Sequence, residues 1–176
     1  MKCLIIGENP GKPTSVYFYD PIPAGTDPVG VRRLLLPALV DANLIVTPTL
    51  EAFQAGGFLF DHGVRCQLPT RVVTSERAKA RELRPSIADA AVHLGDAAKL
   101  AHTVWVMGAI ARAAVASQFP AIGFSPRPFD PPYTVGSMFF VSQYFRPRFD
   151  TSMKIKSIVN KFRAFTHDVA GVRTGD

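Results

Sequence analysis

Cysteine is scarce in this chain. Only Cys3 and Cys66 occur among 176 residues, too few for a disulfide framework or for a four-thiolate zinc or iron–sulfur centre within the chain. A reduced, cytoplasmic setting is the expectation. Long apolar runs are missing as well: none approaches the roughly 18 to 20 residues that cross a bilayer. The opening MKCLIIGENPG turns polar after a few apolar positions, so neither a membrane span nor a secretory signal is expected. Histidine is sparse and scattered. His62, His93, His102 and His167 show no H-x-x-x-H spacing, and surface or cap positions are the simplest reading, with no metal expected. His62 is set apart only because it precedes an expected strand. G-x-G-x-x-G and G-K-[ST] are also absent, which removes the dinucleotide and P-loop classes.

The composition that remains is globular. Hydrophobic residues make up 47% and charged residues 19%, with mean hydropathy +0.12, which excludes disorder and collagen-like or acidic low-complexity sequence as descriptions of the whole. The length fits one domain that buries about two-thirds of its unfolded surface, expected over residues 1–168 with a short tail at 169–176. The net charge of +6 is concentrated. Between Arg146 and Arg163 stand six basic residues against one acidic residue, Asp150, a distribution that suits phosphate contact.

Along the chain, Cys3-Leu4-Ile5-Ile6 before Gly7 predicts a buried strand running into a loop. Residues 11 to 30 are broken by prolines around Val16-Tyr17-Phe18-Tyr19 and predict an ordered loop with a role in a site. Val31 to Asn43 predicts a helix that Pro37 kinks or begins. Leu44 to Val46 predicts a strand remnant, Leu50 to Gly63 stays open because Gly56-Gly57 divides it, and Val64 to Leu68 predicts a strand. A basic, polar connection follows, and Pro85-Ser86 open a helix to about Leu100. Thr103 to Met107 predicts a strand with Trp105 in the core, and Gly108 ends it before a helix over Ala109 to Gln118. Ser137 to Ser142 predicts the last strand and Thr151 to Phe165 the last helix. Strands alternating with helices predict an α/β domain with a mostly parallel sheet, whose ligand sits beyond the carboxyl ends of the strands. The loops after Ile6, Leu68 and Ser142 are expected to converge there.

Two glycines and a proline in Gly7-Glu8-Asn9-Pro10-Gly11 force a tight turn directly after the first strand, so its backbone forms a fixed cradle. This LIIGENPG segment resembles the first motif of the uracil-DNA glycosylase superfamily, above all its mismatch-specific and single-strand-selective branches. Pro69-Thr70-Arg71, the VWVMG strand and the closing strand, loop and helix follow in similar order, so the resemblance spans roughly residues 3 to 165. It implies a three-layer α/β/α domain with a mostly parallel central sheet. It also implies an enzyme that hydrolyses the N-glycosidic bond of uracil in DNA as a monomer, without a cofactor, to leave an abasic site.

Carried onto this sequence, the resemblance makes Asn9 the residue that orients the attacking water, with Gly7, Glu8, Pro10 and Gly11 shaping the pocket floor. An asparagine is no strong base. A dissociative departure of the base asks chiefly for positioning and charge stabilisation. Gly11 stands where the most uracil-restricted members carry tyrosine. Phe18 or Tyr19 is the candidate wall for the extruded base, with core packing the alternative for one of these rings. Gln67 offers a side-chain amide to the base edge. After the last strand, Ser142-Gln143-Tyr144-Phe145-Arg146-Pro147 takes the place of the second motif without its usual histidine. Ser142 or Gln143 is left to donate a neutral hydrogen bond, and Tyr144, Phe145 or Arg146 to wedge into the duplex. Arg146, Arg148, Lys154 and Lys156 are candidate phosphate contacts. A nucleic-acid-binding module that has lost hydrolysis, and an unrelated nucleoside or nucleotide-sugar hydrolase, are the competing expectations.

Overall fold

The computed structural model describes residues 1–8, 17–22, 30–63, 84–122, 133–135 and 138–143. Among these residues five strands form one sheet: β1 (Cys3–Gly7), β2 (Phe58–His62), β3 (Thr103–Met107), β4 (Tyr133–Val135) and β5 (Met138–Gln143), in the order β2-β1-β3-β5-β4. The first three and β5 run parallel, and β4 closes one edge antiparallel to β5. Among the described residues four α-helices accompany them: α1 (Gly30–Asp41), α2 (Leu50–Ala55), α3 (Arg84–Lys99) and α4 (Ala109–Gln118). The fold is α/β.

Strand periodicity divides the core in two, because alternate residues of a strand face opposite sides of its sheet. Cys3 and Ile5 of β1, Phe58 and Phe60 of β2, and Trp105 and Met107 of β3 pack with Leu35, Leu36 and Leu39 of α1 and Phe53 of α2. Leu4 and Ile6, Val104 and Val106 pack instead with Leu94 and Ala98 of α3 and Ile110, Ala111, Ala114 and Val115 of α4. Helices therefore cover both faces. All five positions of β1 and of β3 are buried, as central parallel strands require.

The expected helix at 31–43 is α1, with Pro37 inside it. Pro37 is exposed, so the carbonyl it leaves unpaired lies on the solvent side, where water can satisfy it. Expected α4 and β3 are found with the boundaries read from sequence, and Trp105 is core at 1% exposure. One reading is corrected and one left open is settled. Leu44 to Val46 forms bends and no strand, since Asn43 with φ +57° turns the chain out of α1. The second strand occupies Phe58–His62, in the stretch left open. Thr49 caps α2 by accepting the Ala52 N–H at 3.2 Å, and Gly57 with φ +83° redirects the chain into β2. Val64 to Leu68 and the last helix at 151–165 lie outside the described residues. Among the described residues no helix is long and apolar enough to cross a membrane.

Candidate functional site

From β1 the chain passes to β2 on one flank and later to β3 on the other. The carboxyl ends of β1 and β3 thus bound the point where the strand order reverses, which is where open α/β sheets leave a crevice for ligand. Gly7 ends β1, with Glu8 immediately after it, and Met107-Gly108 end β3 and lead into α4. Three glycines set the geometry of this edge.

Gly108 has φ +93°, and a Cβ there would collide with Glu8, lying 2.5 Å from its Cγ and 2.6 Å from its Cδ. The Glu8 side chain therefore lies across the entrance to α4, and only glycine both adopts that φ and leaves room for it. On the other flank, Gly63 donates its N–H to the Gly7 carbonyl at 2.7 Å. A Cβ on Gly63 would stand 2.8 Å from the Ala111 Cα, so the chain leaving β2 packs against the backbone of the first turn of α4. Beneath Gly7 lies a ring: a Cβ on Gly7 would be 2.7 Å from Phe60 Cζ.

The aromatic segment 17–20 forms the floor under this edge. Asp20 donates its N–H to the Tyr17 carbonyl at 3.1 Å, and the Tyr17 N–H is bound by Asp20 Oδ2 at 2.7 Å, which closes a β-turn. Arg32 of α1 fastens it, donating from Nη1 to the carbonyls of Asp20 at 2.7 Å and Phe18 at 3.2 Å. Of the rings in this turn, Phe18 goes inward. Phe18 is 5% exposed, stacked on Phe60 at 4.4 Å between centroids and tilted against Phe53 at 5.1 Å. This corrects the reading of Phe18 as a free stacking wall: it belongs to the core. Tyr19 stays partly exposed, and its hydroxyl accepts the Phe60 N–H at 2.6 Å. Among the described residues β2 stands at the edge of the sheet, where this bond satisfies the Phe60 donor. Burial raises the Tyr19 hydroxyl pKa, opposed by that bond and assisted by Asp61.

His62 belongs to the same sheet edge. It is half-buried at the end of β2, in register with Gly7, and its ring stands edge to face with Phe60, 5.0 Å between centroids. Burial pushes its pKa below the usual value, with Asp61 opposing. The surface or cap position expected for it is therefore corrected, while His93 and His102 are exposed as expected. The signal in the sequence was a histidine two residues beyond Phe60 and directly before a glycine, legible only once the strand is placed at 58–62.

Ser142 and Gln143 end β5, in register with Val106 and Met107. They therefore reach the same sheet edge as Gly7, with only β3 between, about 10 Å away at two strand spacings. Asn9, Pro10, Gly11, Gln67, Tyr144, Phe145, Arg146, Arg148, Lys154 and Lys156 lie outside the described residues. Burial drives the Cys3 thiol pKa upward, which keeps this cysteine a protonated core residue. Among the described residues no three His, Cys, Asp or Glu side chains gather as a metal site. No family model matches the chain. No curated protein matches it either.

Proposed function

We propose that the protein is a monofunctional uracil-DNA glycosylase on a three-layer α/β/α fold of the uracil-DNA glycosylase type, acting as a cytoplasmic monomer. One observation carries the reading: the Gly7-Glu8 start of the GENPG turn leaves β1 at the reversal point of the sheet, against Gly108, with Ser142-Gln143 ending the strand beyond β3. A base extruded from DNA needs a crevice of this kind. In this reading Asn9 orients water, and Glu8, Pro10 and Gly11 line the floor. Gln67 meets the base edge, and Ser142 or Gln143 donates a hydrogen bond to the departing base. With Phe18 committed to the core, Tyr19 is the remaining ring of the pair for stacking. Tyr144, Phe145, Arg146, Arg148, Lys154 and Lys156 hold the opened DNA.

Single-turnover incubation with oligonucleotides carrying one uracil, single-stranded or opposite G or A, followed by alkaline cleavage, tests this. Strand breakage at uracil is expected, with a loss of about a hundredfold in Asn9→Ala at kept DNA affinity, as misplacement of a reactant gives. Equal loss of turnover and affinity would assign Asn9 to folding or binding. Absence of cleavage with salt-sensitive binding intact would replace the enzyme by a nucleic-acid-binding module. Neutralising Arg146 or Lys154 is expected to lower the salt slope of binding by about one unit each.

A further inference from the structure

The N–H and C=O groups of a strand point to one side at one residue and to the other side at the next. At the two ends of β2 the Gly57 carbonyl and the Gly63 N–H turn toward β1, where they bond Cys3 and Gly7. Phe58, Phe60 and His62 therefore present theirs outward, on the side away from β1. Among the described residues β2 is the edge of the sheet, and side chains already take two of these outward donors. His62 gives its N–H to Asp61 Oδ1 at 2.8 Å, and Phe60 gives its own to the Tyr19 hydroxyl at 2.6 Å. The turn 17–20 grips Phe60 twice, since the Phe18 ring also stacks on the Phe60 ring. Arg32 Nη1 bonds the carbonyls on both sides of Tyr19, those of Phe18 and Asp20. Its Nε is buried with no hydrogen-bond partner among the described residues, a cost that opening to water relieves. The fastening is firm but releasable.

We infer that, whatever the protein's substrate, residues 17–20 are a strap that keeps the edge of β2 closed, and that its release lets β2 pair with β2 of a second copy of this chain. A strand edge with unpaired groups is a template for another strand. The outward positions of β2 are symmetric about Phe60. An antiparallel copy related by a two-fold axis there sets Phe60 opposite Phe60 and Phe58 opposite His62, and each outward N–H then meets a C=O. With the strap fastened, the Tyr19 hydroxyl occupies the centre of that ladder and the Asp61 carboxylate its His62 end. Arg32 acts through the two carbonyls that bracket Tyr19.

Amide hydrogen exchange and sedimentation of the full chain test this. In the wild type the Phe60 amide is expected to exchange slowly and the chain to sediment as a monomer. Tyr19→Phe removes the acceptor, whereas Arg32→Ala leaves the acceptor and frees the turn. In dilute solution both variants are expected to exchange the Phe60 amide about fivefold faster or more, the loss of one hydrogen bond, while the Ile5 and Trp105 amides of the central strands keep their wild-type rates. As concentration rises both are expected to form dimers, with Phe60 protection returning. Where Arg32→Ala also speeds Ile5, Arg32→Lys, which keeps the cation but not the fork, takes its place. A wild-type Phe60 rate in the Arg32 variant would overturn the strap as a unit. Variants that stay monomeric with a fast Phe60 amide, or a wild type already paired through β2, would overturn its guard over the edge.

Discussion

The two faces of the sheet are filled by different side chains. Against α1 and α2 stand the rings of Phe18, Phe53, Phe58, Phe60 and Trp105. Against α3 and α4 the buried members are aliphatic, with Ala98, Ala101, Ala111 and Ala114 among them. Large rings fill the first gap and carry a floor up to Gly7. Small residues on the second face let α4 come so close that Gly63 has no room for a side chain. The sheet edge at the ends of β1 and β3 is shaped by both: packed rings beneath Gly7 on one face and the backbone of α4 on the other.

The largest effect should come from the floor. Phe60→Ala removes the ring that Phe18 stacks on and that underlies Gly7, and a loss of about 3–5 kcal/mol is expected from urea unfolding. A loss under about 1 kcal/mol, far below that range, would mean the face collapses freely and is no rigid support. Next comes the wall. Gly63→Ala places a methyl against Ala111 backbone atoms, which unlike side chains cannot turn away, so about 1–3 kcal/mol is expected. A neutral thermal midpoint would show that α4 is free to retreat. Smaller again is Tyr19→Phe, which leaves the ring but removes the acceptor for the Phe60 N–H; about 1 kcal/mol is expected, measured as a shift in the urea midpoint.

The smallest effect is on pH dependence. The folded-state pKa of His62 lies below its unfolded value of 6.5 because burial disfavours the charged form. Above pH 6.5 both states are neutral and stability is full. As pH falls from 6.5 through the lower folded value, the unfolded chain binds the proton first and stability declines. His62→Gln is expected to lose this limb of the profile in unfolding curves taken from pH 7.5 downward, and an unchanged limb would assign it to another group.

Much of this arrangement was legible in the sequence where the pattern was long or strictly alternating. Cys3 to Ile6 and Thr103 to Met107 read as buried strands, and Ala109 to Gln118 as a helix, because apolar continuity and a following glycine leave little else. The stretch 44–63 was not legible. A six-residue helix capped by Thr49 has under two turns in which to show a period, and Phe58-Leu59-Phe60 is short enough to serve as strand or helix. Without β2 in place, nothing put His62 beside Gly7. The exposure of the aromatic triplet was also hidden, since which of Tyr17, Phe18 and Tyr19 turns inward is decided by the Asp20 and Arg32 bonds. Conversely, the place of Gly7 and Glu8 at the carboxyl end of β1 followed from that strand alone. The short antiparallel β4 at 133–135 carried no sequence signal that stood out among its prolines.

The most direct test of the central claim is to map backbone amide resonances of the wild-type protein while adding a single-stranded oligonucleotide with 2′-fluoro-2′-deoxyuridine, against the same strand with thymidine. Uracil-dependent shifts are expected to cluster at residues 7–8, 62–63 and 108–111, the ends of β1, β2 and β3, with residues 43–49 and 99–102 at the opposite end of the sheet unmoved. Shifts confined to that opposite end, or no difference between the two strands, would contradict it.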